Sequence, residues 1–292
     1  MDSIRQRLSS LQKTFSFEIF PPKTLDGEEQ LFKHLTDLKL LAPDFISVTM
    51  GAMGSNQRNT FEIVKRIEKE HCITGVAHLT CIAADQEKIK KSLQELQDKE
   101  IRHILCLRGD PPQNASHSFS SDFHYASDLV QFIRKQTGDY FSIGVAGYPE
   151  GHIENPSKED DLLNLKKKVD AGAEYIITQL FFRNEDYFSF VGRARKIGIQ
   201  VPIIPGIMPV TSFSQLQTFT KVCGAKIPDK MHRDLLLIKD KPERVQDYGI
   251  DYAIQQCENL LKKDVPGLHF YILNQAGPVR KIYESLHLPM EG

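Results

Sequence analysis

The chain has 292 residues, with 37 Lys and Arg against 38 Asp and Glu and a formal net charge of −1. That length buries a substantial core, as one large α/β domain or two smaller ones, and the balanced charge makes no general case for nucleic acid or an anionic membrane as partner. Five cysteines (Cys72, Cys81, Cys106, Cys223, Cys257) show no metal-type pairing, and no segment has the apolar length of a signal peptide or a membrane span; the expectation is a soluble, cytoplasmic protein with reduced thiols.

The first strand is predicted over residues 15–20, and it carries Glu18 within Phe15-Ser16-Phe17-Glu18-Ile19-Phe20, just before Pro21-Pro22. Burying an isolated carboxylate is costly. Desolvation would raise its pKa toward a protonated acid, suited to giving a proton to a leaving nitrogen or oxygen. An outward-facing strand residue or a structural salt bridge would explain the same pattern. Further strands are predicted at 45–50, 74–81, 103–108, 141–148, 175–182, 202–208 and 268–273, from β-branched and aromatic content bounded by Gly or Pro. Helical patterns such as 86–99, 125–136, 159–171 and 185–196 lie between them, and residues 212–264 read as several helices before the last strand. Eight strands alternating with helices predict an α/β fold, a (β/α)8 TIM barrel with extra helices between strands seven and eight, as a single domain over residues 1–292. An open doubly wound sheet is the alternative, although no Gly-x-Gly-x-x-Gly follows the first strand. The polar, Ser-rich loop 111–123 is a candidate rim or lid.

In such barrels the chemistry sits where strands finish, and six consecutive strands here deliver polar groups there: Glu18, Thr49, His78, Arg108-Gly109-Asp110, Tyr148 to His152, and Thr178-Gln179. Arg108 could fork onto phosphate oxygens, Gly109 lets backbone approach a ligand, and Asp110 could accept from ring N–H groups. A turn held by an Asx hydrogen bond before Pro111-Pro112 is an equal reading. Asp161, Asn164 and Lys168 fall on one helix face with Lys167 beside them, able to grip a ribose and a pyrophosphate, or simply a solvated face. His78 could equally be a hydrogen-bonded core histidine. No His or Cys spacing suggests a metal site, and no Gly-x-Ser-x-Gly elbow supports a hydrolase.

Together these segments resemble the methylenetetrahydrofolate reductases, FAD-dependent barrel enzymes of one-carbon metabolism. The resemblance rests on Phe17-Glu18-Ile19-Phe20-Pro21-Pro22-Lys23, His78-Leu79-Thr80-Cys81, Leu107-Arg108-Gly109-Asp110, Tyr125-Ala126-Ser127-Asp128-Leu129 and Tyr148-Pro149-Glu150. It continues through Lys168-Val169-Asp170-Ala171-Gly172-Ala173, Ile177-Thr178-Gln179, Ile204-Pro205-Gly206-Ile207-Met208-Pro209 and Leu268-His269-Phe270-Tyr271.

The resemblance implies a ping-pong cycle. NADH or NADPH passes hydride to FAD and leaves, and 5,10-methylenetetrahydrofolate then opens to a 5-iminium cation as N10 is protonated and accepts hydride to give 5-methyltetrahydrofolate. It implies Glu18 as proton donor, Asp110 as a catalytic carboxylate beside the flavin, and folate or nicotinamide contacts at Gln179, Gln215, Phe219 and Gln275. The implied FAD contacts are Thr49, Met50, His78, Arg108, Gly109, Asp110, Tyr125, Ala126, Ala146, Tyr148, His152, Asp161, Asn164, Lys167 and Lys168. Four positions depart from the family pattern: Met50 for Tyr, Met53 for Gly, Leu180 for Phe, and Gln275 for an Arg that could hold the folate's glutamate tail more strongly. A homo-oligomer is implied, as is freedom from S-adenosylmethionine control through a C-terminal regulatory domain. A barrel fed electrons by a partner protein and a flavin-free barrel lyase are the alternatives.

Overall fold

The computed structural model describes residues 4–9, 13–22, 24–50, 57–110, 121–155 and 157–290. Most of the candidate lid loop, residues 111–120, and residues 51–56 after the second strand lie outside that set. All eight predicted strands form, and one is split. They are β1 (Thr14–Ile19), β2 (Phe45–Val48), β3 (Thr74–Thr80), β4 (His103–Leu107), β5 (Ser142–Gly147), β6 (Tyr175–Thr178), β7 (Ile203–Ile204), β8 (Gly206–Ile207) and β9 (Gly267–Tyr271).

Every pairing is parallel, in the order β7-β6-β5-β4-β3-β2-β1-β9-β8. Because β7 pairs with β6 and β8 with β9, one short segment joins both ends of the sheet and closes the barrel. The open-sheet alternative is excluded. Pro205 causes the split, since it has no N–H for the ladder. Its carbonyl still accepts from His269 N at 3.0 Å, while Gly206 N donates to Thr178 Oγ1 at 2.9 Å. Gly206 must be glycine, because a Cβ there would sit 2.2 Å from the Thr178 carbonyl oxygen.

The helices are α1 (Ile4–Ser9), α2 (Leu25–Lys39), α3 (Gln57–His71), α4 (Gln86–Asp98), α5 (Ala126–Thr137), α6 (Lys158–Asp170), α7 (Asn184–Lys196), α8 (Phe213–Cys223), α9 (Asp229–Ile238), α10 (Pro242–Lys262) and α11 (Ala276–Leu286). The inserted segment thus resolves into α8, α9 and α10. Side-chain caps start several of them: Thr24 on Gly27 N, Asp85 on Lys88 N, Ser157 on Asp160 N and Ser212 on Gln215 N.

Alternation along the strands decides what faces the lumen. On β1, Phe15, Phe17 and Ile19 belong to the core between barrel and helices, and Phe15 and Phe17 both meet Tyr283 of α11. Ser16 and Glu18 therefore point inward. Ile4 and Leu8 of α1 join Phe45, Val76, Leu105 and Tyr175 to fill the lower lumen. A separate core under α8, α9 and α10 takes Leu180, Phe182 and Met208 from the rim.

His103, buried at the start of β4 with Nδ1 lacking a hydrogen bond, gives a stability prediction. Burial, reinforced by Arg7 and Arg102, pushes its imidazole down to about 4. The folded pKa lies below the unfolded value, so the neutral ring's contribution is complete above pH 6.5 and is lost as pH falls toward 4. The loss is about 3 kcal/mol. Urea unfolding of His103→Gln is expected to show a flatter pH dependence over that window than the parent chain.

Candidate active site

Glu18 is the penultimate residue of β1, 8% exposed, and faces into the barrel. His78 Nε2, from β3, stands 3.3 Å from Glu18 Oε2, and His269 Nε2, from β9, stands 3.8 Å from the same oxygen. Neither nitrogen has a hydrogen bond of good geometry, so both contacts are close polar approaches to the carboxylate. Burial pushes the carboxyl up, but His78 and His269 more than reverse it and hold it down to about 2. The expectation of a carboxyl raised by desolvation is therefore corrected. Glu18 rests ionised because two imidazoles stand against it.

Above Glu18, at the C-terminal ends of the strands, opens a cleft of about 430 Å³. Thr49 and Met50 reach it from beyond β2, His78 from β3, and Arg108, Gly109 and Asp110 from beyond β4. Ala146 from β5 and Tyr148 and His152 beyond it form one wall, Gln179 follows β6, and Phe219 descends from α8. A second hollow of about 440 Å³ shares Arg108, Ala146, Tyr148 and His152 with the first and runs on to Tyr125, Ala126, Asp161, Asn164 and Lys168. The two make one elongated trough. A larger cavity of about 1200 Å³ lies at the opposite end of the barrel, among Lys65, Glu68, Arg102, His103 and Glu174, away from the strand ends that carry chemistry in such folds.

Gly109 has φ +87°, and a Cβ there would meet Ile82 Cγ2 at 2.8 Å. The turn that aims Arg108 and Asp110 at the trough thus requires glycine. Lys168 Nζ donates to the Ala146 carbonyl at 2.8 Å and lies 5.5 Å over the Tyr148 ring. Burial pushes its amine down to about 8 against the pull of Asp161, which leaves it cationic at neutral pH. Gln179 Oε1 accepts from Leu180 N at 2.9 Å, so its amide NH2 is the end left to donate into the trough. Tyr125, at the start of α5, is 58% exposed at the far mouth, while Asp128 Oδ2 takes its backbone N–H at 2.9 Å.

These residues bring a carboxylate, two cations and an aromatic rim to one end of a closed barrel. A family model described as methylenetetrahydrofolate reductase matches residues 3–287. The chain belongs to the methylenetetrahydrofolate reductase family. It is 41% identical over 285 residues to Methylenetetrahydrofolate reductase (NADH) 1 of Arabidopsis thaliana, covering 94% of this chain and 48% of that protein. It is 40% identical over 277 residues to 5,10-methylenetetrahydrofolate reductase of Pectobacterium carotovorum, covering 94% of this chain and 91% of that one. The chain thus spans about half the length of the plant relative and nearly all of the bacterial one. A solved protein of Clostridium thermocellum that binds two copies of 5-methyl-5,6,7,8-tetrahydrofolic acid shares the fold, with a TM-score of 0.66 at 16% identity, covering 98% of this chain and 100% of that one.

Three positions implied by the methylenetetrahydrofolate reductase resemblance lie outside the trough. Lys167 is exposed and donates to Asn164 Oδ1 at 3.1 Å. Gln215 is exposed on the first turn of α8. Gln275 borders a separate hollow of about 10 Å³ beside Leu273, with room for roughly one water.

The structure adds three residues that the strand-end reading missed. Thr80 Oγ1 donates to Met50 Sδ at 3.3 Å, seating the thioether on the trough wall. Tyr271 closes the floor, its hydroxyl donating to the Thr178 carbonyl at 2.7 Å. Alternation along residues 268–273 from an inward His269 would have found it. Glu154 holds the Arg108 fork with both oxygens, at 2.6 and 2.9 Å, and had no sequence signal.

The Arg108–Glu154 pair is partly exposed, with side chains at 29% and 48%, so it is worth up to about 1 kcal/mol. Its glutamate competes with any phosphate for the fork. With FAD as the ligand the family resemblance implies, Glu154→Gln is expected to tighten its binding to flavin-free protein by up to about fivefold at low salt. The gain should fade in high salt, as read by flavin fluorescence titration.

Proposed function

We propose that this chain reduces 5,10-methylenetetrahydrofolate to 5-methyltetrahydrofolate with hydride from NADH or NADPH, using FAD in a ping-pong cycle. The observation that carries the reading is the placing of Glu18 on the floor of a trough that holds Arg108 where its two hollows join and Lys168 beyond. The trough fits the cofactor: it is long, apolar beside Met50 and Leu105, cationic further on, and bordered by the buried His78, whose Nε2 has no hydrogen bond of good geometry. When bound, FAD would supply a carrier that takes hydride from nicotinamide and gives it to folate.

The chain's own groups do the remainder. Arg108 and Lys168 would hold the pyrophosphate, with Asn164 and Asp161 beside the ribose and Tyr125 at the adenine end. Met50, His78 and Tyr148 would flank the ring system, and Asp110 would place negative charge near it. Glu18 would give a proton to N10 of the folate as the methylene bridge opens. That proton must first reach a carboxylate that rests ionised, and it enters through the trough that opens above Glu18. Gln179 would donate to the folate from its free NH2, with Phe219 covering the pterin. The reading carries a cytoplasmic homo-oligomer; among the described residues no helix is long and apolar enough to cross a membrane.

The test is an absorbance spectrum of the purified protein, followed anaerobically through addition of NADH or NADPH and then methylenetetrahydrofolate. Flavin bands that bleach and then return are the expected result. Bands that resist both nucleotides point to electrons from a partner protein, and no bands after adding FAD would overturn the flavoenzyme reading.

A further inference from the structure

Beneath Glu18 lies a polar pair that the proposed reduction does not use. Ser16 and His269 are register partners on β1 and β9, as Glu18 and Tyr271 are one step above, and both members of the lower pair have zero exposure. Ser16 Oγ and His269 Nδ1 are 2.8 Å apart. The imidazole is clamped flat against Phe45, with centroids 5.9 Å apart at 22°, and meets Tyr271 edge-on at 5.3 Å and 86°. Its Nε2 has no hydrogen bond, and the oxygen it faces is Glu18 Oε2 at 3.8 Å.

The hydrogen-bond chemistry of this pair selects one tautomer. A proton on Nδ1 would be donated to Ser16 Oγ and would leave a bare Nε2 lone pair facing a carboxylate oxygen. Two acceptors facing each other in a dry interior repel. With the Ser16 hydroxyl donating to Nδ1, the ring carries its proton on Nε2 and turns an N–H toward the carboxylate. A doubly protonated ring would send Ser16 to its other acceptor, Leu268 O at 3.5 Å, but burial pushes His269 down, toward the neutral form.

We propose that His269 is a positioning residue for Glu18: Ser16 fixes its tautomer so that Nε2–H faces the Glu18 carboxylate and sets how readily that group takes up the proton it must deliver. The inference rests on the reading of Glu18 as the acid. The groups around the carboxyl are His78 on β3, His269 and Tyr271 on β9, and the uncharged Ser47 paired with it on β2. Tyr271 stays neutral, because burial raises its phenol well above the ordinary value. Proton occupancy on Glu18 is therefore set by the two imidazoles, and His269 is the one whose tautomer the fold dictates.

The test is NMR of the full chain in its flavin-loaded form. With 15N-labelled histidine, the parent protein is expected to show His269 protonated on Nε2 and accepting on Nδ1; protonation on Nδ1 overturns the proposal. With 13C-labelled glutamate carboxyls, assigned through Glu18→Gln, the Glu18 midpoint is expected to rise by about 1 pH unit in His269→Asn and by less in Ser16→Ala. Midpoints that superimpose on the parent's overturn it. If His269→Asn does not fold, Ser16→Ala and the parent's tautomer still decide. In the same variants, the basic limb of the folate half-reaction should move to higher pH with the carboxyl, as it must for a proton donor. A parent protein that turns over no folate would sink the functional reading, while the two NMR measurements would still judge this one.

Discussion

Glu18→Gln is expected to slow oxidation of the reduced flavin by methylenetetrahydrofolate about 10²- to 10⁴-fold, the usual worth of a positioned proton donor. Glutamine keeps the shape and can still hydrogen-bond, but it cannot hold or give the proton. In the proposed cycle, flavin reduction by NADH or NADPH takes no proton from this residue and is expected to fall far less. Stopped-flow measurement of the two half-reactions separates them, and equal losses in both would assign Glu18 to flavin binding instead. Stability should fall together with activity. The two imidazoles more than offset the burial cost of the Glu18 carboxylate and hold it down to about 2, so a neutral amide of equal shape loses a net favourable interaction. A variant that is slow in the folate half-reaction and melts below the parent at neutral pH is the expected signature.

Arg108→Ala is expected to weaken FAD binding about 10- to 100-fold. A hydrogen bond to a charged group contributes roughly 1.5–3 kcal/mol, and about 1.4 kcal/mol corresponds to a tenfold change in affinity. The fork now held by Glu154 is the part that matters, so Arg108→Lys should fall between the parent and the alanine variant, keeping the charge and losing the two-pronged geometry. Fluorescence titration of apoprotein against salt gives the readout. The parent's affinity should fall with ionic strength more steeply than that of Arg108→Ala, because one fewer charge meets the phosphates. Identical salt slopes would remove Arg108 from the phosphate grip.

The barrel was legible because its strands are short apolar runs separated by amphipathic helices, and that pattern depends on local sequence. The strand ends were less so. Residues 175–182 read as one strand, yet β6 stops at Thr178, and Leu180 and Phe182 turn away to the core under α8, α9 and α10. The seventh strand broke at Pro205 for a reason visible in the sequence, but that its two halves pair with opposite ends of the sheet was not. Of the candidate site, the residues just past strand ends converge on the trough. Lys167, Gln215 and Gln275, placed by resemblance, stand outside it, and Glu154, four residues beyond Glu150 in an irregular loop, reached Arg108 without any pattern to announce it.

By itself the sequence determined the fold class, the end of the barrel that carries the polar groups, and the family, since periodicity and motif order survive in one dimension. The tertiary structure alone decided the state of the groups at the centre. Glu18 could have been an outward residue, a salt bridge or a raised acid. Its ionised resting form depends on His78 and His269, 60 and 251 residues away in sequence, arriving within 4 Å of one oxygen when the ring closes. Protonation follows from dielectric and from neighbours in space, and parallel register between strands distant in the chain is what supplies those neighbours.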